Sequence, residues 1–286
     1  MKTFVEYEEM VARTGEGRSK IVPLLGLVGE IGDLHSTIKK LFLQKDHPTF
    51  RAELQEELGD TLWYLTRLAS VYDLSLEEIA TDNATKAEAL YSCGVNSRFD
   101  NGFPPDEQLP RQFTVRFTEK KIKTGLHVRI TIKDIAIGDA LTDNAHKDDG
   151  YRYHDVFHLG FAAVLGWSPV TRSLLKRKRK SNEKIDEVED GARASIVEEA
   201  ISILLFNQAP ERGWYQGDPS VDVGLYKTIQ QMVSGLEVKA CTAKQWMQAI
   251  RQGYTAFDQL QTNQGGDILV NLDDQTLTYK NFRRNR

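Results

Sequence analysis

Apolar residues recur at helical spacing through most of the first hundred residues. The first set comprises Leu24, Leu27, Val28, Ile31, Leu34, Ile38 and Leu41, and the second comprises Leu54, Leu58, Leu62, Leu65 and Leu68. Spacings of three and four residues predict two helices, separated by a polar stretch around Pro48. A third helix is predicted to begin after Ser75, an N-cap residue that Glu78 follows three positions later in a capping-box pattern.

The period then changes from 3.6 to two. Phe113, Val115 and Phe117 alternate with polar residues, as do Val128, Ile130 and Ile132, so this region predicts a hairpin. Helical patterns return from about residue 151, and residues 265–280 predict a short closing hairpin. The expected fold is mainly α, or α+β overall. It comprises a helical-bundle domain (1–98), a linker with a β-hairpin (99–150) and a second helical domain ending in a hairpin (151–286).

Composition narrows the class of protein. The chain has 286 residues, of which 40% are hydrophobic and 27% charged, and its net charge is −4. No uninterrupted apolar run approaches the ~18 residues of a spanning helix, so we expect no membrane partner. The acidic balance argues against a nucleic-acid partner. Two cysteines and an acidic N-terminus without a signal pattern favour the cytoplasm.

Paired acids are the strongest chemical signal. Glu30 and Asp33 are three residues apart, as are Glu57 and Asp60, and each pair interrupts an apolar helical pattern rather than extending a polar face. If the two helices fold back antiparallel, four carboxylates converge and repel one another. A hard divalent cation such as Mg²⁺ removes the repulsion and leaves positions for water and phosphate. The alternative is a solvated acidic face.

Three glycines recur within the first predicted helix, at positions 26, 29 and 32. Each costs about 1 kcal/mol relative to alanine in a helix interior. Their spacing therefore indicates that either a neighbouring helix or a ligand approaches the backbone there.

The segments GLVGEIGDL, EELGDTLWYLTRLA and DNATKAEAL together resemble the MazG-like, all-α nucleoside triphosphate pyrophosphohydrolases over about residues 20–95. The resemblance implies Mg²⁺, with Mn²⁺ as an alternative, and cleavage between the α- and β-phosphates to give a monophosphate and pyrophosphate. It also implies a homo-oligomer, either a dimer or a tetramer. The implied metal ligands are Glu30, Asp33, Glu57 and Asp60. Asp33 departs from the family, in which glutamate is commoner at this place.

The same resemblance implies roles for further residues. Glu56 joins Glu57 as a catalytic carboxylate, either a ligand or a base for water, and Asn83 and Lys86 contact the nucleotide. Lys39 and Lys40 are candidate phosphate contacts, with ordinary surface lysines as the alternative. Tyr64 either stacks on the base or shapes its pocket.

The second half contains a similar pattern. Glu198 and Glu199 stand where the first half has its paired glutamates, but Ser202 replaces the second aspartate, and Asp155 and His158 are again three residues apart. One hypothesis is a degenerate second copy of the module. A nucleotide-binding sensor, with the second domain as its output, is the alternative to an enzyme.

A less favoured hypothesis for the second half is an HD-type phosphohydrolase built on His154, Asp155 and His158. His127 or His146 and Asp186 or Asp190 would complete its metal ligands. The same half contains a run of basic residues, 176–180, which predicts nuclear targeting, nucleic-acid contact, phosphate binding or a solvated loop.

Overall fold

We describe a computed structural model of the chain over residues 3–15, 19–43, 48–91, 98–123, 125–209 and 222–281. The chain divides into two compact units, residues 1–88 and 89–286, and each is described by itself. The predicted mainly α, α+β fold class is confirmed. The unit boundary lies ten residues before the predicted domain boundary, and residues 92–97, which include Cys93, lie outside the described residues.

Helices make up the described part of the first unit. They are α1 (Phe4–Thr14), α2 (Ile21–Leu43), α3 (Phe50–Val71) and α4 (Leu76–Tyr91). The hydroxyl of Ser75 accepts the N–H of Glu78 at 3.1 Å, as predicted for the start of α4. Helices α2 and α3 pack against each other as a helical hairpin, and α1 packs on α3. The two helices that the periodicity predicted, α2 and α3, are therefore the pair that carries the acids.

Much of the apolar surface of α2 is exposed. Ile21, Val22, Leu25 and Val28 are each more than 60% exposed. By length and mean hydropathy (1.3), α2 could also cross a membrane, although helices of soluble proteins pass the same test. The expected absence of a membrane partner therefore stays a prediction.

The second unit combines helices with one sheet. Its helices are α5 (Asp155–Leu165), α6 (Pro169–Leu174), α7 (Glu183–Val188), α8 (Ala192–Gln208), α9 (Val223–Met232) and α10 (Ala243–Asn263). Its strands are β1 (Gln112–Ile122), β2 (Gly125–Ile132), β3 (Ile135–Ala136), β4 (Gly265–Asn271) and β5 (Thr276–Lys280). Both predicted hairpins are present, as β1–β2 and β4–β5.

The two hairpins pair with each other through β1 and β4. The resulting antiparallel sheet has the order β3-β2-β1-β4-β5, with Phe113 opposite Val270 and Phe117 opposite Gly266. Residues 99–150 therefore do not form a separate connector, because β1 lies in the middle of a sheet whose other half comes from the end of the chain. Local periodicity cannot predict a pairing between segments about 150 residues apart in sequence.

Helices α5 and α10 cross closely in the core of this unit. A Cβ at Gly160 would lie 3.0 Å from the carbonyl oxygen of Ala249, and a Cβ at Gly253 would lie 2.8 Å from the ring of Phe157. Small residues at both positions thus permit the crossing. The aromatic core around it, including Tyr254, fixes α5 and the residues at its N-terminal end.

Buried ion pairs connect the segment before the sheet to the helices. Asp100 accepts the backbone N–H of Leu109 (2.8 Å) and hydrogen bonds from Arg111 (2.8 Å) and Arg172 (2.9 Å). Asp100 and Arg172 are almost completely buried. Through these contacts, the start of the predicted linker becomes part of the core of the unit.

The structure divides the basic run, 176–180, between the protein interior and the surface. Arg179 is fully buried and contacts Asp190 at 2.7 Å and Glu237 at 2.6 Å, whereas Lys176 and Lys180 are exposed. One member of the run is therefore a structural cation. The pattern did not show this because the carboxylates that surround Arg179 come from other parts of the chain.

Candidate metal and nucleotide site

The packing of α2 on α3 brings three of the predicted metal ligands together. Carboxylate oxygens of Glu30, Asp33 and Glu57 all lie within 4.8 Å of one another, at the surface of the helical hairpin. Glu30 and Glu57 are half-buried and Asp33 is exposed. Three oxygen donors at this spacing fit a divalent hard cation that keeps further positions for water or phosphate.

Asp60 lies near this group but outside it. The pKa of Glu30 is raised by partial desolvation and then by the negative charges of Asp60, Asp33 and Glu57. Neighbouring negative charges of this kind disfavour the ionised form of a carboxyl group. Glu56, one position before Glu57, is exposed and is not a member of the group. The roles of Asp60 as ligand and of Glu56 as base therefore stay predictions.

Tyr7 is a neighbour of the acids that the sequence analysis missed. Its pKa is raised by burial and then by the charge of Asp60. Tyr7 lies on α1, and it reaches this place only because α1 packs on α3. No spacing in the sequence relates it to the acidic pairs.

An aromatic pair on α3 fixes the hairpin. The rings of Trp63 and Tyr64 meet edge to face at 4.9 Å, and Trp63 donates its indole N–H to the hydroxyl of Thr14 at 3.0 Å. A Cβ at Gly26 would overlap the ring of Tyr64. Tyr64 thus packs against α2, and Gly26 is needed for a neighbouring helix. The predicted role of Tyr64, to stack on a base or to shape its pocket, stays a prediction.

The other two glycines of α2 face open space. A Cβ at Gly29 or Gly32 would meet no atom within 4 Å apart from the local helix backbone. Helix packing within the described residues of one chain therefore does not explain them. That a ligand approaches the backbone at these two glycines stays a prediction.

The predicted substrate contacts are dispersed. Lys39 and Lys40 are exposed near the end of α2, and Lys40 lies 3.7 Å from Glu53. Asn83 and Lys86 are exposed on α4, and neither side chain makes a hydrogen bond or ion pair to another described residue. The roles of these four residues as substrate contacts therefore stay predictions.

The histidines of the second unit form a different group from the HD-type arrangement. Ligand atoms of His154 and His158 lie within 4.8 Å of those of Glu199. His127, His146, Asp186 and Asp190 do not belong to this group. Glu199 comes from α8, and the sequence analysis had related it to the other glutamates instead.

An α-helical hairpin with converging acids defines a helical protein with a candidate divalent-cation site. Comparison with known families is more specific. Residues 19–89 match the MazG nucleotide pyrophosphohydrolase domain, and residues 94–283 match the MazG C-terminal domain. The chain therefore belongs to the MazG-like family, as the resemblance predicted.

A curated relative supports the first of these matches without naming an activity. The Gene 37 protein of Mycobacterium phage L5 is 36% identical over 83 residues, which cover 28% of this chain and 71% of the relative. No solved structure is significantly similar to the chain. Because the second half matches a family description of its own, the degenerate repeat stays a hypothesis.

Proposed function

We propose that the chain is a Mg²⁺-dependent nucleoside triphosphate pyrophosphohydrolase that releases a monophosphate and pyrophosphate. The observation that supports this proposal is the convergence of Glu30, Asp33 and Glu57 in the domain that matches the nucleotide pyrophosphohydrolases. Mn²⁺ is the alternative ion. The location we propose is the cytoplasm.

The chain's own residues have separable tasks in this proposal. Glu30, Asp33, Glu57 and Asp60 hold the cation, and Glu56 either adds a ligand or accepts a proton from water. A bound divalent cation lowers the pKa of water and stabilises charge on the leaving pyrophosphate. Lys39, Lys40, Asn83 and Lys86 contact the nucleotide. The raised pKa of Glu30 supports a site that is favourable for a cation.

We also propose a homo-oligomer. Ile21, Leu25 and Val28 are 66%, 64% and 63% exposed on α2, where Gly29 and Gly32 leave the backbone open. Contiguous apolar surface of this kind is usually covered in a stable soluble protein. A second copy of the same helix is the proposed cover. Crosslinking with gel filtration tests this, and a catalytically complete monomer would contradict it.

The reaction is tested by incubating the full chain with Mg²⁺ and a panel of ribo- and deoxyribonucleoside triphosphates, followed by separation of the products. Monophosphate with pyrophosphate in equal amounts is the expected result. Diphosphate with orthophosphate would identify a different hydrolase. Binding without any product would instead favour a nucleotide sensor. Chelation by EDTA should abolish turnover, and added Mg²⁺ should restore it.

A further inference from the structure

A second group of potential metal ligands lies in the other compact unit, where the N-terminal end of α5 meets α8. His154 directly precedes α5, His158 lies one turn later, and Glu199 comes from α8. Nε2 of His158 is 3.4 Å from Oε2 of Glu199, and Nε2 of His154 is 3.8 Å from the same oxygen. Three donor atoms from two helices therefore face one point.

The opposite nitrogen of each imidazole is already engaged. Nδ1 of His154 lies 2.8 Å from the carbonyl oxygen of Tyr151, and Nδ1 of His158 lies 2.9 Å from Oε1 of Glu198. A carbonyl oxygen or a carboxylate accepts hydrogen bonds, so Nδ1 carries the hydrogen in both rings. In metal sites this is the usual arrangement, because the outer partner orients the ring and leaves Nε2 free to coordinate.

The outer partner of His158 is itself rigidly held. Glu198 is fully buried and also accepts hydrogen bonds from the hydroxyl of Ser168 (2.6 Å) and the backbone N–H of Val170 (2.8 Å). Three hydrogen-bonding partners hold this carboxylate in one position. The ring of His154 is fixed as well, because it stacks on Tyr151 with centroids 4.0 Å apart.

Nε2 of each ring faces negative charge. Nε2 of His154 is 3.2 Å from Oδ1 of Asp155, and both rings face Glu199. His158 is only 1% exposed, and its Nε2 atom has no well-aligned hydrogen bond among the described residues. The two rings meet edge to face, with centroids 5.8 Å apart.

We propose that His154, His158 and Glu199 bind a divalent transition-metal ion of the zinc type, with Asp155 as a fourth ligand or as a partner of His154. Ligand atoms around a tetrahedral zinc ion are about 3.3 Å apart, since Zn–N and Zn–O bonds are about 2.0–2.1 Å long. The separations of 3.2, 3.4 and 3.8 Å match this size. Glu199 is 44% exposed, so an ion can reach the site from solvent.

The donor set also sets the class of ion. Imidazole nitrogen favours zinc, copper, iron and nickel, whereas Mg²⁺ and Mn²⁺ prefer oxygen ligands. The acids of α2 and α3 offer only oxygen. The two groups therefore select different cations, and the second site does not depend on the proposed pyrophosphohydrolase activity.

The test is a zinc titration of the chelator-stripped, full-length chain in excess Mg²⁺, which occupies the oxygen-only acids. We expect one tightly bound zinc ion per chain, and X-ray absorption should show two imidazole ligands. Glu199→Gln removes the anionic ligand at a half-exposed position and should weaken zinc binding about tenfold or more. His154→Gln should do the same.

Matched controls separate this site from other groups. His146→Gln changes an exposed histidine outside the group, and Glu57→Gln changes the acids of the first unit; both should leave the tight zinc site intact. Circular dichroism checks that each variant is folded. Absence of tight zinc binding in the wild type would overturn the proposal. Equal affinity in the wild type, Glu199→Gln and His154→Gln, or a zinc spectrum without imidazole, would overturn it as well.

Discussion

The ring of Tyr64 on α3 occupies the space that Gly26 leaves on α2, so the hairpin that carries the acids depends on a glycine that any side chain would overfill. We expect Gly26→Ala to lower the unfolding free energy of the first unit by about 1–3 kcal/mol through overpacking. Urea denaturation with hydrogen exchange of the α2 and α3 amides measures this. In a double-mutant cycle, truncation of Tyr64 to serine should relieve part of the loss, and simple additivity would contradict the contact.

Gly29 should behave in the opposite way, because a Cβ there meets open space. Gly29→Ala is expected to raise the unfolding free energy of the isolated chain by about 1 kcal/mol through helix propensity. If a nucleotide or a second copy approaches this backbone, the same variant should lower turnover or weaken the oligomer. Denaturation, activity and sedimentation measured on one preparation separate these effects. Unchanged activity and assembly would show that nothing approaches Gly29.

The acid cluster predicts a sharp loss of turnover without a loss of folding. Glu57→Gln and Asp60→Asn should each reduce turnover by about 10²-fold or more, because they remove charge that organises the cation and its water. A higher Mg²⁺ requirement should accompany the loss. Glu9→Gln, at an exposed position of α1, is the matched control. A similar loss in the control would indicate a general charge effect instead of a metal site.

The stability of the second unit should depend on acid through Asp100. Burial raises the pKa of Asp100, but the N–H of Leu109 and the charges and hydrogen bonds of Arg172 and Arg111 outweigh it, so the folded pKa is lowered. The resulting stabilisation is complete above the unfolded value of about 4 and is lost as the pH falls through the folded pKa.

Asp100→Asn should flatten this acid dependence and lower the unfolding free energy near neutral pH by about 3 kcal/mol, because the buried Arg172 then keeps only its longer ion pair with Asp190, at 3.8 Å. Urea denaturation at several pH values measures both effects. Asp106→Asn lies in the same segment at an exposed position and should leave the profile unchanged. An identical pH profile in Asp100→Asn would contradict the assigned role.

Arg179 and Lys180 should differ although they are neighbours in one basic run. Arg179→Gln leaves Asp190 and Glu237 without their shared cation and is expected to lower the unfolding free energy by about 3–5 kcal/mol. Lys180→Gln, at an exposed position, should change it by no more than about 0.5 kcal/mol. Equal effects in thermal or urea denaturation would mean that the run acts as a surface patch.

Local patterns predicted the elements because helical and extended periodicity are properties of neighbouring residues. The spacing of Glu30 with Asp33, and of Glu57 with Asp60, is enough to place each pair on one helical face. Three of these four acids meet in the structure. Periodicity could not predict that Asp60 lies near the group but outside it, or that Glu56 is not a member, since the crossing of α2 and α3 decides both.

By itself, the sequence determined the helices and hairpins, the acidic motif and the family, because each depends on short-range spacing or on a contiguous segment. Tertiary structure alone decided that β1 pairs with β4, that Arg179 is buried, and that Glu199 joins His154 and His158. These contacts join residues far apart in the chain, and their burial and charge compensation depend on partners from other elements. Both outcomes have one physical reason. The spacing of nearby residues determines the secondary structure of a segment, whereas packing determines which distant residues that segment contacts.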